Sequence, residues 1–225
     1  MKISLIIPSK NESEGLEKVI LEAKKFNFID EIIVVVDDHA DTSINVIKDF
    51  NIKLIIQKEK GYGAAIIEGF KNISNEYVCI FSADYSFDPN YLSEMINKTN
   101  NYQFIFGSRY KIGGSSDDDT IITYIGNKIF TFLSKYLLGI MLSDVLYTYV
   151  LCHATSFKKL KLTKHDFRLC IELPYQVKKN NYNYIDISMK ECKRFSGQKK
   201  VNELRDGYLI LLEIINTFFK KIKNE

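Results

Sequence analysis

Short apolar runs in this chain repeatedly end in residues that carry chemistry. ISLII ends at Pro8-Ser9-Lys10-Asn11-Glu12, EIIVVV at Asp37-Asp38, YVCIF at Ser82-Ala83-Asp84 and FIFG at Ser108-Arg109. If these runs are strands of one parallel sheet, their polar ends gather at one edge, where open α/β sheets bind ligands. Carboxylates at that edge can accept hydrogen bonds from a base or hold a cation. An arginine fork or a lysine can neutralise phosphate. The combination suits a nucleotide bearing a diphosphate, with or without a divalent ion. No G-x-G-x-x-G follows the first run, so this is not a dinucleotide site. Gly61-Tyr62-Gly63 also lacks the Gly-Lys-Ser/Thr that completes a P-loop.

The elements that must position these residues alternate in type. Residues 3–7, 31–36, 52–56, 77–81 and 104–107 are short apolar runs that suit buried strands. Leu16, Val19, Ile20 and Ala23 recur at helical spacing, and 42–50, 61–70 and 91–97 read as further helices. This alternation predicts a parallel sheet with right-handed crossovers. After Gly107 the pattern changes. Residues 113–119 (GGSSDDD) read as a flexible loop, 121–142 as one or two apolar helices and 166–179 as a helix. A strand follows at 184–189, then an apolar helix at 207–223 with a basic tail.

Composition narrows the class. A chain of 225 residues with 46% hydrophobic and 26% charged residues can bury a core without staples. The net charge of +3 is too small to make the whole surface a polyanion binder, so no nucleic-acid partner is expected. Cys79, Cys152, Cys170 and Cys192 form no C-x-x-C pair and suggest no disulfide framework, which fits a reducing compartment. His39, His153 and His165 show no metal-ligand spacing. Met1-Lys2 leads into a short run ending at Pro8 rather than into a signal peptide, and no uncharged stretch reaches the ~20 residues that span a bilayer. The expected location is therefore cytoplasmic, with the inner membrane face left open. The segment 208–219 with Lys220, Lys221 and Lys223 after it could cover the core, lie in a membrane interface or form a homodimer contact.

Six strings carry a resemblance when taken in order: SLIIPSKNES, EIIVVVDD, GYGAAIIEGF, SADYSFDP, GSRY and RFSGQKK. Their order and spacing resemble glycosyltransferase family 2, most of all its dolichol- and polyprenyl-phosphate mannosyl- and glucosyltransferases, over most of the chain. The resemblance implies a GT-A fold over 1–203, with 204–225 as an amphipathic helix packed on it or lying at a membrane surface. It implies an inverting transfer from a nucleoside-diphosphate sugar, of GDP-mannose or UDP-hexose type, to a polyprenyl phosphate or a glycan. Pro8, Glu12, Asp37, Asp38 and Ala83 would then bind the donor nucleoside. Asp84, the last acid of a D-x-D motif, would hold Mg²⁺ or Mn²⁺, although Ser82 replaces the first acid. Arg109, Arg194, Gly197 and Lys200 match blocks that meet phosphates, with Lys199 in place of the usual Ser. Asp144 matches an acid that recognises the acceptor or acts as base, and Glu172 is a second base candidate. Lys10 stands where an aromatic residue is usual, and Leu146 and Tyr147 stand for Thr and Gly. These departures motivate the alternative of a nucleotide-sugar-binding protein impaired in catalysis.

Overall fold

The structure is a computed structural model that describes residues 1–196 and 199–224. Seven strands form one sheet: β1 (Ile3–Ser9), β2 (Ile29–Val36), β3 (Lys53–Ile56), β4 (Tyr77–Ile80), β5 (Phe104–Ser108), β7 (Val150–His153) and β8 (Tyr184–Ser188). Their spatial order is β3-β2-β1-β4-β7-β5-β8. Two further strands, β6 (Ser115–Ser116) and β9 (Lys190–Glu191), pair with each other alone. The helices are α1 (Ser13–Ala23), α2 (Ser43–Ile47), α3 (Tyr62–Phe70), α4 (Tyr91–Lys98), α5 (Ile121–Leu133), α6 (Ala154–Phe157), α7 (Leu169–Lys179) and α8 (Glu203–Asn224). A π-helical turn, Ser134–Leu138, prolongs α5.

The strands that the apolar runs predict are present, all parallel to their neighbours except where β7 intervenes. β7 runs antiparallel between β4 and β5, and the apolar pattern does not predict it. Its reversal matters for the site. Parallel strands leave the sheet at the ligand edge, whereas β7 enters there, so the segment before it is delivered to the same edge.

The core lies on both faces of the sheet. On one face, Ile6, Ile33, Ile66, Phe104 and Phe106 pack with Ile171 of α7 and with Ile210 and Ile214 of α8. On the other, Leu5, Ile7, Val34 and Phe81 pack with Leu16, Val19 and Ile20 of α1 and Met95 of α4. The four thiols are free, and three of them are buried. Residues 113–119, expected to be a flexible loop, are instead pinned by β6 and by Asp117 N donating to the Glu191 carbonyl. Among the described residues no helix is long and apolar enough to cross a membrane.

Candidate active site

A cavity of about 690 Å³ opens at the carboxyl edge of the sheet. Pro8, Glu12, Asp37, Ala83, Asp84, Arg109, Arg194 and Lys200 all line it. Asp38, Asp144 and Glu172 are not among the lining residues.

One side of the cavity is built from the exits of β1, β2 and β3. Asn11, at φ 52°, turns the chain between Lys10 and Glu12. Asp41 and Ser43 brace that turn: Asn11 N donates to Asp41 Oδ1 at 3.0 Å and Glu12 N to Ser43 Oγ at 3.1 Å. Lys10 Nζ forms an ion pair with Asp37, and the buried Gln57 amide donates to the other oxygen of the same carboxylate. Sequence reasoning misses Gln57, because a lone glutamine after a strand carries no signal of its own. Asp38 points outward, capped by Ala40 N at 2.9 Å and facing Lys60 at 3.6 Å.

The small-residue block opens α3 for a packing reason. Gly61 sits at φ 121°, a conformation that disfavours any Cβ. It and Gly63 lie against the backbone of 164–166, where Ala64 N donates to the His165 carbonyl at 3.0 Å. Gly15 does similar work for the next element: a Cβ there would stand 2.7 Å from the Ala83 carbonyl oxygen, so glycine lets α1 support the turn carrying Asp84.

Asp84 follows β4. Its Oδ1 accepts from Ser82 Oγ at 2.5 Å and from Ser86 N at 3.0 Å. Ser82, standing where the motif has an acid, thus orients the remaining one. Asp84 Oδ2 faces Arg194 Nη1 at 3.7 Å, too far for a hydrogen bond. Among the described residues no three metal-binding side chains converge. A magnesium-type ion needs only one or two carboxylates when substrate phosphates and water fill its remaining positions, and Asp84 fits that role.

The strap after β9 supplies cations. Arg194 forks onto Asp118, with Nε at 3.1 Å and Nη2 at 2.6 Å. Lys200 Nζ meets Glu12 Oε1 at 3.0 Å, while Glu12 Oε2 is buried without a partner among the described residues. Burial raises the Glu12 carboxyl above its ordinary pKa, and Lys200 opposes that rise. The strap is tied to the Asp84 turn by Phe195 N donating to the Asp84 carbonyl at 2.9 Å, and Cys192 N donates to the Ser86 carbonyl at 2.9 Å. Gly197 lies outside the described residues.

The floor is built differently. Arg109, just past the end of β5, is buried and forks onto Asp144, with Nε to Oδ2 at 2.7 Å and Nη2 to Oδ1 at 3.1 Å. Its Nη1 reaches Glu191 at 3.4 Å and Asp119 at 3.5 Å. Burial opposes the charge on Arg109, but Asp144 and Glu191 hold its pKa well above the usual value, so it stays a cation. Burial pushes the Glu191 carboxyl up against the pull of Arg109. The antiparallel entry into β7 is what brings Asp144 here, with Leu146 and Tyr147 following it into the cavity wall. Both Asp144 oxygens are engaged by Arg109, which speaks against the acceptor or base role expected of it. Glu172, the other base candidate, serves the structure instead. It accepts from Thr163 N, Thr163 Oγ1 and Lys164 N at 2.7–3.0 Å. Sequence reasoning also misses Asp118, Asp119 and Glu191. A run of three aspartates resembles a solvated loop, and a two-residue strand leaves no periodicity.

The architecture is the GT-A fold. Residues 4–161 match the family model described as Glycosyl transferase family 2, and the chain belongs to that family. It is 33% identical over 128 residues to a dolichol-phosphate mannosyltransferase of Pyrococcus furiosus, covering 52% of this chain and 36% of that one. It is 24% identical over 238 aligned positions to a UDP-N-acetylglucosamine–dolichyl-phosphate N-acetylglucosaminyltransferase of Methanococcus voltae, covering 95% and 94%. The chain thus spans about a third of the first relative and nearly all of the second. Among solved structures, glucosyl-3-phosphoglycerate synthase of Mycobacterium tuberculosis with Mn²⁺, UDP and phosphoglyceric acid matches with TM-score 0.76 at 13% identity, over 96% of this chain and 78% of that one. Mannosyl-3-phosphoglycerate synthase of Rubrobacter xylanophilus matches with TM-score 0.73 at 15% identity, over 100% and 74%. At such identities these two speak to the fold alone.

Proposed function

We propose that this chain transfers a sugar from a nucleoside-diphosphate sugar to a polyprenyl phosphate, with inversion at the anomeric carbon. The observation that carries the reading is the meeting, in one cavity, of carboxylates from the sheet exits with Arg194 and Lys200 from the strap. The family assignment supports glycosyl transfer, and the names of the Pyrococcus and Methanococcus relatives support a lipid-phosphate acceptor.

In this reading Pro8, Glu12, Asp37 and Ala83 bound the nucleoside side, Asp38 stands outside it, and the donor is of GDP-mannose or UDP-hexose type. Asp84 would hold a Mg²⁺ or Mn²⁺ ion, which when bound offsets diphosphate charge. An acceptor phosphate oxygen forms the new bond to the anomeric carbon. The bond from that carbon to the diphosphate breaks on the opposite face, and its electron pair leaves with the nucleoside diphosphate. Arg194 and Lys200 exchange their carboxylate partners for that developing charge. Arg109 and Asp144 shape the floor, Arg109 as a fixed positive centre and Asp144 as the group that holds it. A phosphate with a second pKa of about 6 is already anionic and needs no general base, which accords with the engagement of both Asp144 and Glu172. In this reading residues 1–203 form the transferase domain, and the C-terminal helix α8 packs on it.

Calorimetric titration with UDP, GDP and their sugar conjugates, with and without Mg²⁺ or Mn²⁺, tests the donor site. Product analysis with a polyprenyl phosphate then tests transfer. Binding without turnover on any acceptor would convert the protein to a nucleotide-sugar-binding one. No binding of any nucleotide sinks the reading.

A further inference from the structure

Asp37, the first residue after β2, carries a donor on each carboxylate oxygen. Lys10 Nζ pairs with Oδ2, and Gln57 Nε2 donates to Oδ1. All three side chains line the cavity. Gln57 is buried, and its backbone N donates to the Val36 carbonyl at 3.0 Å, which extends the β2–β3 pairing by one step. A carboxylate only accepts, so Asp37 dictates that the Gln57 amide presents its nitrogen. Lys10 stands on the turn that Asp41 and Ser43 brace, and its hydrogen bond to Asp37 raises the ammonium above its ordinary pKa. It is therefore a donor and nothing else.

Each group keeps capacity of one kind. A carboxylate oxygen accepts two hydrogen bonds, so Asp37 has room for a further N–H. The Gln57 nitrogen carries a second N–H, and the ammonium of Lys10 carries three. The cavity therefore offers, side by side, a donor, an acceptor and a donor. Among the bases, uracil and thymine present the complement: a carbonyl, a ring N–H and a carbonyl. Guanine presents a carbonyl, a ring N–H and an amino group. A carboxylate with both oxygens free would grip those two adjacent N–H groups. Here Lys10 and Gln57 hold its flanks, and the amino group would meet a donor. Cytosine and adenine set a ring nitrogen that lacks a hydrogen against Asp37. Each such mismatch leaves a polar group unpaired away from water, which weakens binding.

We propose that Lys10, Asp37 and Gln57 form a base-reading row that selects a dioxopyrimidine nucleoside diphosphate, of uridine or thymidine type, over GDP. The proposal rests on the nucleoside-diphosphate-sugar reading above and narrows it. The test is calorimetric titration of the full chain with UDP, dTDP, GDP, CDP and ADP at one Mg²⁺ concentration. All five carry the same diphosphate, so its contribution cancels in the ratios. UDP or dTDP should bind about tenfold or more tighter than the other three, and UDP methylated at its ring N–H should lose about that factor. Tighter binding of UDP than of dTDP assigns uridine, and the reverse assigns thymidine. Gln57→Met should narrow the preference for UDP over GDP by about tenfold, because it removes one donor and frees one Asp37 oxygen for the guanine amino group. Lys10→Met, at an exposed side chain, should narrow it in the same direction, and it gives the same readout if the buried substitution unfolds the chain. A merely structural row would weaken all five nucleotides together, so an unchanged ratio in both variants overturns the proposal. GDP bound as tightly as UDP, or methylated UDP bound as tightly as UDP, also overturns it and leaves the donor reading standing. No binding of any nucleotide removes both.

Discussion

Two arginines in this molecule each fork onto an aspartate, and the two pairs behave as different devices. Arg109 and Asp144 lie under the cavity, nearly sealed from water, with Glu191 and Asp119 on the remaining guanidinium nitrogen. Arg194 and Asp118 lie at the mouth with about a fifth of the arginine side chain exposed, and Asp84 stands within 3.7 Å. The contact geometry is similar, but the surroundings are not. A dehydrated fork has no solvent to replace a lost partner, so it fixes the floor. A hydrated fork can exchange one anion for another at small cost, and an incoming diphosphate is a better anion than a carboxylate. Burial, rather than residue type, separates a pin from a latch.

The strongest way to break this contrast is to cut the pin. Asp144→Ala leaves Arg109 buried beside only its longer-range partners, and loss of one member of a buried pair costs about 3–5 kcal/mol. For a chain of this size that lowers Tm by roughly 10 °C. Differential scanning calorimetry should show the fall, with activity lost alongside. If Asp144→Asn instead keeps the wild-type Tm and loses turnover alone, Asp144 is a chemical group and the pin is elsewhere.

The latch should give the opposite pattern. Arg194→Ala should lower kcat/KM by about 10²-fold, the usual scale for one electrostatic donor in a transition state. Its Tm should move by no more than about 3 °C, because a partly exposed pair contributes at most about 1 kcal/mol. A large Tm loss with modest kinetic loss would put both arginines in the same structural class.

Much of the latch side is legible from the amino-acid sequence, and little of the pin. Glu12, Asp37 and Asp84 follow runs whose position relative to the sheet can be read from alternation, the family pattern points to Arg194 and Lys200, and all five line one cavity. Family pattern points to Asp144 but not to its partner. The pairing depends on β7, a four-residue strand whose direction is set by neighbours distant in sequence. Glu172 has the position of a base candidate, on a helix near the end of the sheet. Its hydrogen bonds to Thr163 and Lys164 come from loop geometry that no periodicity encodes. The tripled aspartate reads as solvent-facing because charge runs usually are, and only the β6–β9 pairing turns Asp118 and Asp119 inward.

A smaller effect sharpens the latch. Asp118 holds Arg194 with two hydrogen bonds in the free protein. If that carboxylate competes with the donor diphosphate, Asp118→Asn should tighten nucleoside-diphosphate binding by about threefold, the scale of a partly exposed ion pair. Titration calorimetry reads this directly. Weaker binding would mean that Asp118 presents Arg194 to the donor rather than withholding it.

The smallest effect is a proton. Burial already raises the Glu12 carboxyl, and Lys200 restrains that rise. A diphosphate that draws Lys200 away removes the restraint and adds negative charge nearby, so both changes raise the pKa again. The complex then holds more protons than the free protein between the two values, above the ordinary glutamate range. Donor affinity must therefore fall as pH rises through that window, with a proton taken up on binding. In the free protein the raised carboxyl contributes stability at acid pH that is lost as pH rises through its folded value, so Glu12 works against folding where it is ionised. Calorimetry in two buffers of different ionisation enthalpy should show fractional proton uptake in wild type and none in Glu12→Gln. Uptake that persists in Glu12→Gln would assign the proton to another group and detach Lys200 from the diphosphate. Proton uptake lost equally in Lys200→Met would tie the lysine, the carboxylate and the donor into one exchange.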